Sequence, residues 1–163
     1  MTYTENSNFA FFLCDGNYNI TDVWVGNTNK PSSKSDTVNN RIGVVASSIN
    51  GLGHANCVEY DPSTRRYYVI TGESQRAIVE LNSDFTPTGR VKTFPPIAYP
   101  DTFGSGYGAV LHDRKNGSWY AVQGGNGRIF TFDTENMELT ATGNTINVNR
   151  VNQGMALYDN VLV

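Results

Sequence analysis

The sequence predicts an all-β fold that repeats one small antiparallel sheet, and three observations lead to this prediction. Three segments share a pattern in which small or polar residues precede an alternating apolar strand and a final Asp: residues 53–61, 106–113 and 151–159. Their last residues recur at intervals of 52 and then 46 residues, a spacing typical of a sheet-sized repeat. Hydrophobic residues make up 39% of the chain, charged residues 17%, and 16 residues are Gly, which favours turn-rich β structure over helices.

The first predicted unit covers residues 8–50. Its expected elements are, in order, strands at 9–15 and 20–25, an exposed polar loop at 30–40 and a strand at 41–46. Asp15 lies 46 residues before Asp61, so the strand that ends at Asp15 is an earlier copy of the same repeat.

The second unit, residues 51–95, and the third, residues 106–146, each predict four short strands. These are 56–60, 67–71, 77–81 and 90–94 in the second unit, and 109–112, 119–123, 128–132 and 139–142 in the third. Four strands at regular spacing predict an up-and-down sheet. The Pro-containing segment 95–105 predicts a crossover loop, because Pro cannot donate to a strand ladder. Helical signals are weak, and residues 134–137 fit one helical turn or a β-turn.

A fourth unit, residues 151–163, contains only about two strands. The sequence therefore predicts a single domain, residues 1–163, that is a partial β-propeller of about three and a half four-stranded blades. Propellers close with about 4 to 8 blades, and open sheet edges favour aggregation. We expect closure by self-association, by neighbouring subunits of an assembly or by a missing C-terminal part; two copies of this chain would sum to seven blades.

The net charge limits the classes of partner that the sequence predicts. The formal net charge of −3 gives no broad attraction for nucleic acid or anionic membranes, so neither is expected as a partner. No signal peptide is evident at the start of the sequence, which predicts cytoplasmic synthesis. Cys14 and Cys57 lie in apolar strand patterns without the paired spacing of a zinc site, so buried thiols are expected; a disulfide between them stays open.

A run of motifs resembles known propeller repeats. Gly53-His54-Ala55-Asn56 is followed by Tyr60-Asp61-Pro62-Ser63-Thr64 and then by Tyr67-Tyr68-Val69. Together they resemble the broad NHL and SMP-30-like superfamily, and more narrowly the propeller domains of Gram-positive surface proteins, helveticin-like bacteriocins and phage tail or receptor-binding proteins. The resemblance covers about residues 51–163. It implies a propeller and, by analogy, a place in a virion or an extracellular surface assembly.

The start of each first strand would form the rim of a central channel. In SMP-30-like lactonases this rim holds a divalent cation, and Asn56 matches one such ligand. Its equivalents Gly108 and Gly154 have no side chain, whereas a hard cation requires about six oxygens. The sequence therefore predicts no metal and no cofactor, with Ca²⁺ as the alternative. Hydrogen bonds to turn backbone are the favoured explanation of His54 and Asn56, and a ligand-binding role is the alternative.

Four rim residues make the candidate ligand site: His54, Asn56, Tyr107 and Gln153. A neutral rim of amides and an aromatic ring suits sugars. Glu59 is a candidate acid, because it occupies the position of Leu111 and Leu157 and is therefore either outward-facing or functional.

Other residue patterns favour structure over chemistry. The recurring Asp residues are explained by one role in closing turns. The strand aromatics are expected to pack between sheets: Tyr67, Tyr68, Trp119, Tyr120, Phe130 and Phe132. The turn cations are either solvated or form an edge for an acidic partner: Arg65, Arg66, Arg114 and Lys115. No serine-hydrolase triad is supported, since only two His are present and no nucleophile-elbow motif lies near either.

Two functions follow from these observations. The first is a non-enzymatic structural or binding module of a larger assembly, a phage virion or tail component that binds a receptor or glycan and contacts itself or other subunits. The second is a metal-dependent lactonase or related hydrolase of the SMP-30-like type, whose site would be completed by further blades.

Overall fold

The computed structural model describes residues 2–3, 9–14, 20–26, 55–71, 77–96, 108–124, 127–146, 157–158 and 161–162. Side chains are described for 57–71, 77–96, 108–124 and 127–146. Every regular element in these ranges is a β-strand, which confirms the all-β prediction. No helix long and apolar enough to cross a membrane occurs in this part of the chain.

The first three strands form sheet I, with the order β1-β2-β3 and antiparallel pairing throughout. They are β1 (Thr2–Tyr3), β2 (Phe9–Cys14) and β3 (Ile20–Gly26). The strands predicted at 9–15 and 20–25 are thus present, and β1 was not predicted. The predicted loop at 30–40 and strand at 41–46 lie outside the described residues.

Sheet II has the up-and-down order β4-β5-β6-β7, with every neighbouring pair antiparallel. Its strands are β4 (Ala55–Asp61), β5 (Arg66–Thr71), β6 (Ala77–Leu81) and β7 (Pro87–Thr93). Three of them match the prediction within a residue at each end, whereas β7 begins three residues before the predicted start. Pro87 and Gly89 suggested a turn, but the turn is closed earlier by Asp84, which accepts hydrogen bonds from the Thr86 amide and hydroxyl. Pro is tolerated as the first residue of an edge strand.

Sheet III repeats this arrangement, with the order β8-β9-β10-β11. Its strands are β8 (Ala109–Asp113), β9 (Ser118–Val122), β10 (Arg128–Asp133) and β11 (Glu138–Thr145). Residues 134–137 form a turn rather than a helix, and Asp133 closes it by accepting hydrogen bonds from the amide and the side chain of Asn136. β11 extends past the predicted end at 142. Two final strands, β12 (Leu157–Tyr158) and β13 (Val161–Leu162), pair as a short hairpin.

The repeat seen in the sequence is present in the backbone of sheets II and III. Arg65 and Gly117, which lie 52 residues apart, both have a positive φ, and so do Phe85 and Met137 at the same spacing. Asp61 accepts hydrogen bonds from the amide and hydroxyl of Ser63, and Asp113 accepts from the amides of residues 115 and 116. The prediction that the recurring Asp closes the hairpin turn is confirmed at these two positions.

Sheets II and III pack face to face. Their shared core consists of Tyr68, Ile70, Ile78 and Phe94 from the sheet II side and Val110, Trp119, Ala121, Phe130, Phe132 and Met137 from sheet III. The ring of Tyr68 meets that of Trp119 edge-on, with centroids 5.0 Å apart. The Cys57 thiol, which is free of any disulfide, donates to the Val110 carbonyl at 3.4 Å. The predicted packing of aromatics between sheets is therefore confirmed for four of the six residues named above.

Sheet II is covered on both of its faces. Successive residues of a strand point to opposite sides of its sheet, yet Tyr67, Tyr68, Val69 and Ile70 of β5 are all buried. Tyr68 and Ile70 belong to the core shared with sheet III, so Tyr67 and Val69 are buried on the other side. In contrast, most of β11 is exposed.

The substitution Gly108→Ala tests how closely the first strand of sheet III approaches its neighbours. A Cβ at residue 108 would lie 2.6 Å from the Val122 carbonyl oxygen and 3.3 Å from the Ile70 side chain. Since a backbone atom cannot move aside, we expect a loss of about 3 kcal/mol in the free energy of unfolding.

Gly89→Ala is the matched control for this substitution. Gly89 has φ +88 and nothing within 4 Å of an added Cβ, so Gly89→Ala introduces backbone strain of about 1 kcal/mol without a clash. Urea denaturation measures both variants. Equal losses for Gly108→Ala and Gly89→Ala would show that the close approach is not present in solution.

Candidate binding cleft

A polar cleft of about 800 Å³ opens between sheets II and III, at the end of the sheets where the β4–β5, β8–β9 and β10–β11 turns lie. It is lined by Asp61, Ser63, Thr64, Arg66, Tyr68, Glu80, Arg90, His112, Arg114, Gly117, Trp119, Thr134 and Glu135. Three turns surround it, at residues 62–65, 114–117 and 134–137. In an up-and-down sheet every second hairpin turn falls at the same end. The β4–β5, β8–β9 and β10–β11 turns therefore lie at one end of the two sheets, which is why residues distant in sequence meet there.

Glu80 is a buried charged group of the cleft, with 3% of its side chain exposed. It lies directly opposite Tyr68 in the β5–β6 register, and the Tyr68 hydroxyl donates to its Oε2 at 3.2 Å. Arg90 Nη1 donates to the same oxygen at 2.9 Å, and Arg66 Nε lies 4.0 Å from Oε1. A buried carboxylate is tolerated only when it is paired in this way.

Arg90 joins the two sheets. Besides Glu80 of sheet II, its guanidinium donates to the carbonyl oxygens of Thr134, at 3.3 Å, and Glu135 in sheet III. One side chain from β7 therefore holds the β10–β11 turn against β6. The planar fork of Arg is suited to such divergent acceptors.

Tyr68 remains a neutral hydroxyl donor over the physiological pH range. Burial, together with the negative charge of Glu80, raises the pKa of Tyr68 to about 12. The Tyr68 hydroxyl therefore keeps its hydrogen bond to Glu80 whenever the carboxylate is charged.

His112 and Trp119 form the opposite wall. They are paired across β8 and β9, and their rings stack with centroids 4.3 Å apart at an interplanar angle of 7°. His112 Nδ1 is buried and has no hydrogen-bond partner among the described residues. Burial lowers the pKa of His112, with the Asp61 charge acting in the opposite direction. His112 is therefore neutral at pH 7.

Asp61 and Glu59 lie on the same face of β4 but differ in their charge environment. Burial acts to raise the pKa of Asp61, yet hydrogen bonds from Ser63 bring it below its ordinary value. Burial raises the pKa of Glu59, although Arg114 Nη2 lies 3.5 Å from its Oε1 and acts against this rise. The side chain of Glu59 is 20% exposed, and its role as a candidate acid stays a prediction.

The structure does not test the four predicted rim residues. His54, Tyr107 and Gln153 lie outside the described residues, and Asn56 is described only in its backbone, so their proposed roles stay predictions. Asn56 is near the start of β4, whereas the cleft is at the end of this strand, beside Asp61. Arg66 and Arg114, singled out as turn cations, do line the cleft.

Glu80, Arg90 and Trp119 were missed as site residues. Glu80 sits in the otherwise apolar strand Ala77–Leu81, and a charge in such a strand is the signal that could have marked it. Arg90 and Trp119 give no local signal of this kind. Among residues with described side chains, no group of three His, Cys, Asp or Glu is placed to hold a metal ion.

No protein-family model matches this sequence, and no curated protein is significantly similar to it.

Removal of the inter-sheet contact of Arg90 should destabilise the fold. Arg90→Ala leaves the buried Glu80 carboxylate without its shortest ion pair, and we expect a loss of roughly 1 to 3 kcal/mol in the free energy of unfolding. Urea denaturation is the measurement. Lys115→Ala is the control, because Lys115 is exposed and does not line the cleft, and it should change stability by less than about 0.5 kcal/mol. A loss no larger than that of the control would show that Arg90 does not join the sheets.

His112 should make stability fall on mild acidification. Because its pKa in the folded chain is below the ordinary 6.5, the unfolded chain takes up a proton first as the pH falls. The stabilisation is complete above 6.5 and is lost as the pH drops through the lowered folded value. The groups facing His112 are Asp61, Asp113 and Arg114; the pKa values of both Asp residues are lowered from 3.8, so neither titrates in this range.

The measurement is urea denaturation of the natural chain and His112→Gln at about pH 7.5 and about pH 5.5. The natural chain should lose stability relative to His112→Gln at the lower pH. Parallel loss in both proteins would assign the acid sensitivity to other groups.

Proposed function

We propose that this chain is a non-enzymatic binding module with propeller-type architecture, a structural or receptor-binding part of a larger assembly such as a phage virion, and that its ligand is a glycan. The observation that carries the proposal is the cleft between sheets II and III. It offers charged and hydroxyl side chains in a concave space of about 800 Å³, which falls in the size range of small-molecule sites.

The arrangement of the two sheets supports a radial architecture. The first strands, β4 and β8, lie beside one another, as the innermost strands of adjacent blades do. Sheet II is buried on both faces, which is expected of a blade with a neighbour on each side. Closure of the ring through a second copy of this chain, through other subunits or through further blades is part of the proposal.

The state of the cleft carboxylates supports binding over catalysis. A general acid or base must reach the substrate proton within hydrogen-bond distance. Asp61 instead accepts hydrogen bonds within its own turn, and Glu80 is held by Tyr68 and Arg90. Both carboxylates therefore serve the walls of the cleft, and a ligand would be recognised rather than converted.

The test is a glycan array probed with the purified chain, together with its mass from light scattering after size exclusion. We expect binding to a subset of glycans, recovery of the bound saccharide unchanged by mass spectrometry, and a mass above the 17.9 kDa monomer. Thr64→Trp, which places a large ring at a residue lining the cleft, should abolish glycan binding. Lys115→Trp, at a turn position outside the cleft, should not. A monomer that binds no glycan, or a saccharide that is cleaved, would overturn the proposal.

A further inference from the structure

We propose that the cleft between sheets II and III recognises an acidic saccharide, through a carboxylate or sulfate group held by Arg66 and Arg114. This inference rests on the proposed glycan-binding function and specifies its ligand. It follows from an account of which hydrogen-bonding groups of the cleft are already used within the chain.

The two buried carboxylates of the cleft accept hydrogen bonds from groups of the chain itself. Asp61 Oδ1 accepts from the amide of Ser63 at 2.9 Å and from its hydroxyl at 2.7 Å. Glu80 Oε2 accepts from Tyr68 and Arg90, and Arg66 lies beside Oε1. The remaining carboxylate, that of Glu135, is on an exposed turn, where solvent screens its charge. Apart from His112 Nδ1, which has no hydrogen-bond partner among the described residues, the interior of the cleft therefore has little acceptor capacity left for a ligand.

The guanidinium donors of Arg66 and Arg114 are used much less than the carboxylate acceptors of the cleft. A guanidinium carries five N–H donors, yet the only polar side-chain contact of Arg66 within the described part of the chain is the 4.0 Å approach to Glu80. Among the residues that the structure describes, Arg114 makes a single long contact, of 3.5 Å, with Glu59. Both side chains are partly exposed, at 38% and 50%. The unused hydrogen-bonding capacity of the cleft is thus mainly N–H capacity carrying positive charge.

Arg90 shows what a fully engaged guanidinium looks like in the same cleft. It donates to Glu80 and to two carbonyl oxygens of the facing turn, so its role is structural. Arg66 and Arg114 lie on different sheets and both line the cleft. An oxyanion between them would complete two charge-assisted interactions, of the kind that Arg forms bidentately with carboxylates and with tetrahedral anions.

The net charge of the chain does not favour general attraction of anions, so anion binding at the cleft would be local. Because the whole chain is negative, at −3, it does not attract anions at long range. Binding of an acidic saccharide must then depend on the individual guanidinium groups, and single substitutions should remove it.

The experiment is isothermal calorimetry on the full chain with two pairs of probes. One pair is a galacturonate oligosaccharide and its carboxyl-reduced counterpart, and the other is a sulfated oligosaccharide and its desulfated form. We expect the charged member of at least one pair to bind about 10-fold or more tightly than its neutral partner. Which pair responds identifies carboxylate or sulfate as the recognised group. Affinity should fall between about 50 mM and about 500 mM NaCl.

Three variants make the test specific to the cleft. Arg66→Gln and Arg114→Gln should each weaken binding of the charged probe by about 10-fold, whereas Lys115→Gln, next to Arg114 but outside the cleft, should leave it unchanged. Circular dichroism checks folding, and Arg114→Gln on its exposed turn serves if Arg66→Gln does not fold. Equal binding of charged and neutral saccharides, or equal weakening by Lys115→Gln, would overturn the acidic ligand while leaving glycan binding intact. Failure of every saccharide on this panel and on the array would overturn both proposals.

Discussion

The structure depends on the packing of sheet II against sheet III. Exposing the apolar side chains of a four-stranded antiparallel sheet to water is unfavourable, and a second layer of structure is needed to bury them. Tyr68 and Trp119 meet at the centre of this interface, and Phe94 meets Phe130 with centroids 5.8 Å apart. Since the cleft is one edge of the same interface, anything that separates the sheets also removes the site.

The interface changes from apolar to polar towards the turn edge, and Glu80 marks the change. A carboxylate with 3% of its side chain exposed loses most of its hydration, which costs several kcal/mol before its partners are counted. Hydrogen bonds from Tyr68 and Arg90 offset part of this cost of lost hydration, and Arg90 also binds the facing turn. A charge at this position therefore contributes more to the relative placement of the sheets than to net stability, and a defined placement is what a binding cleft needs.

Strands and turns could be predicted from the sequence because their signals are local. Alternation of apolar residues places β4, β5 and β6 within a residue at each end, and the Asp at each hairpin needs only its neighbours two and three residues on. The cleft could not be predicted, because its walls come from residues as distant as Asp61 and Glu135, and no pattern links them before the sheets are stacked. β7 and β11 were misplaced at one end since Pro and Gly near an edge strand resemble turn residues.

Residues paired across three neighbouring strands differ between the two sheets in their polar groups. In sheet II, Tyr68 lies between Glu59 and Glu80 across three strands. In sheet III, the corresponding row places Tyr120 between Leu111 and Thr131, so the Tyr is kept and both carboxylates are absent. Backbone requirements such as the turn Asp are met in both copies, because each hairpin needs them to fold. Residues that differ between copies are free of that requirement, and Glu80 of the cleft is one of them.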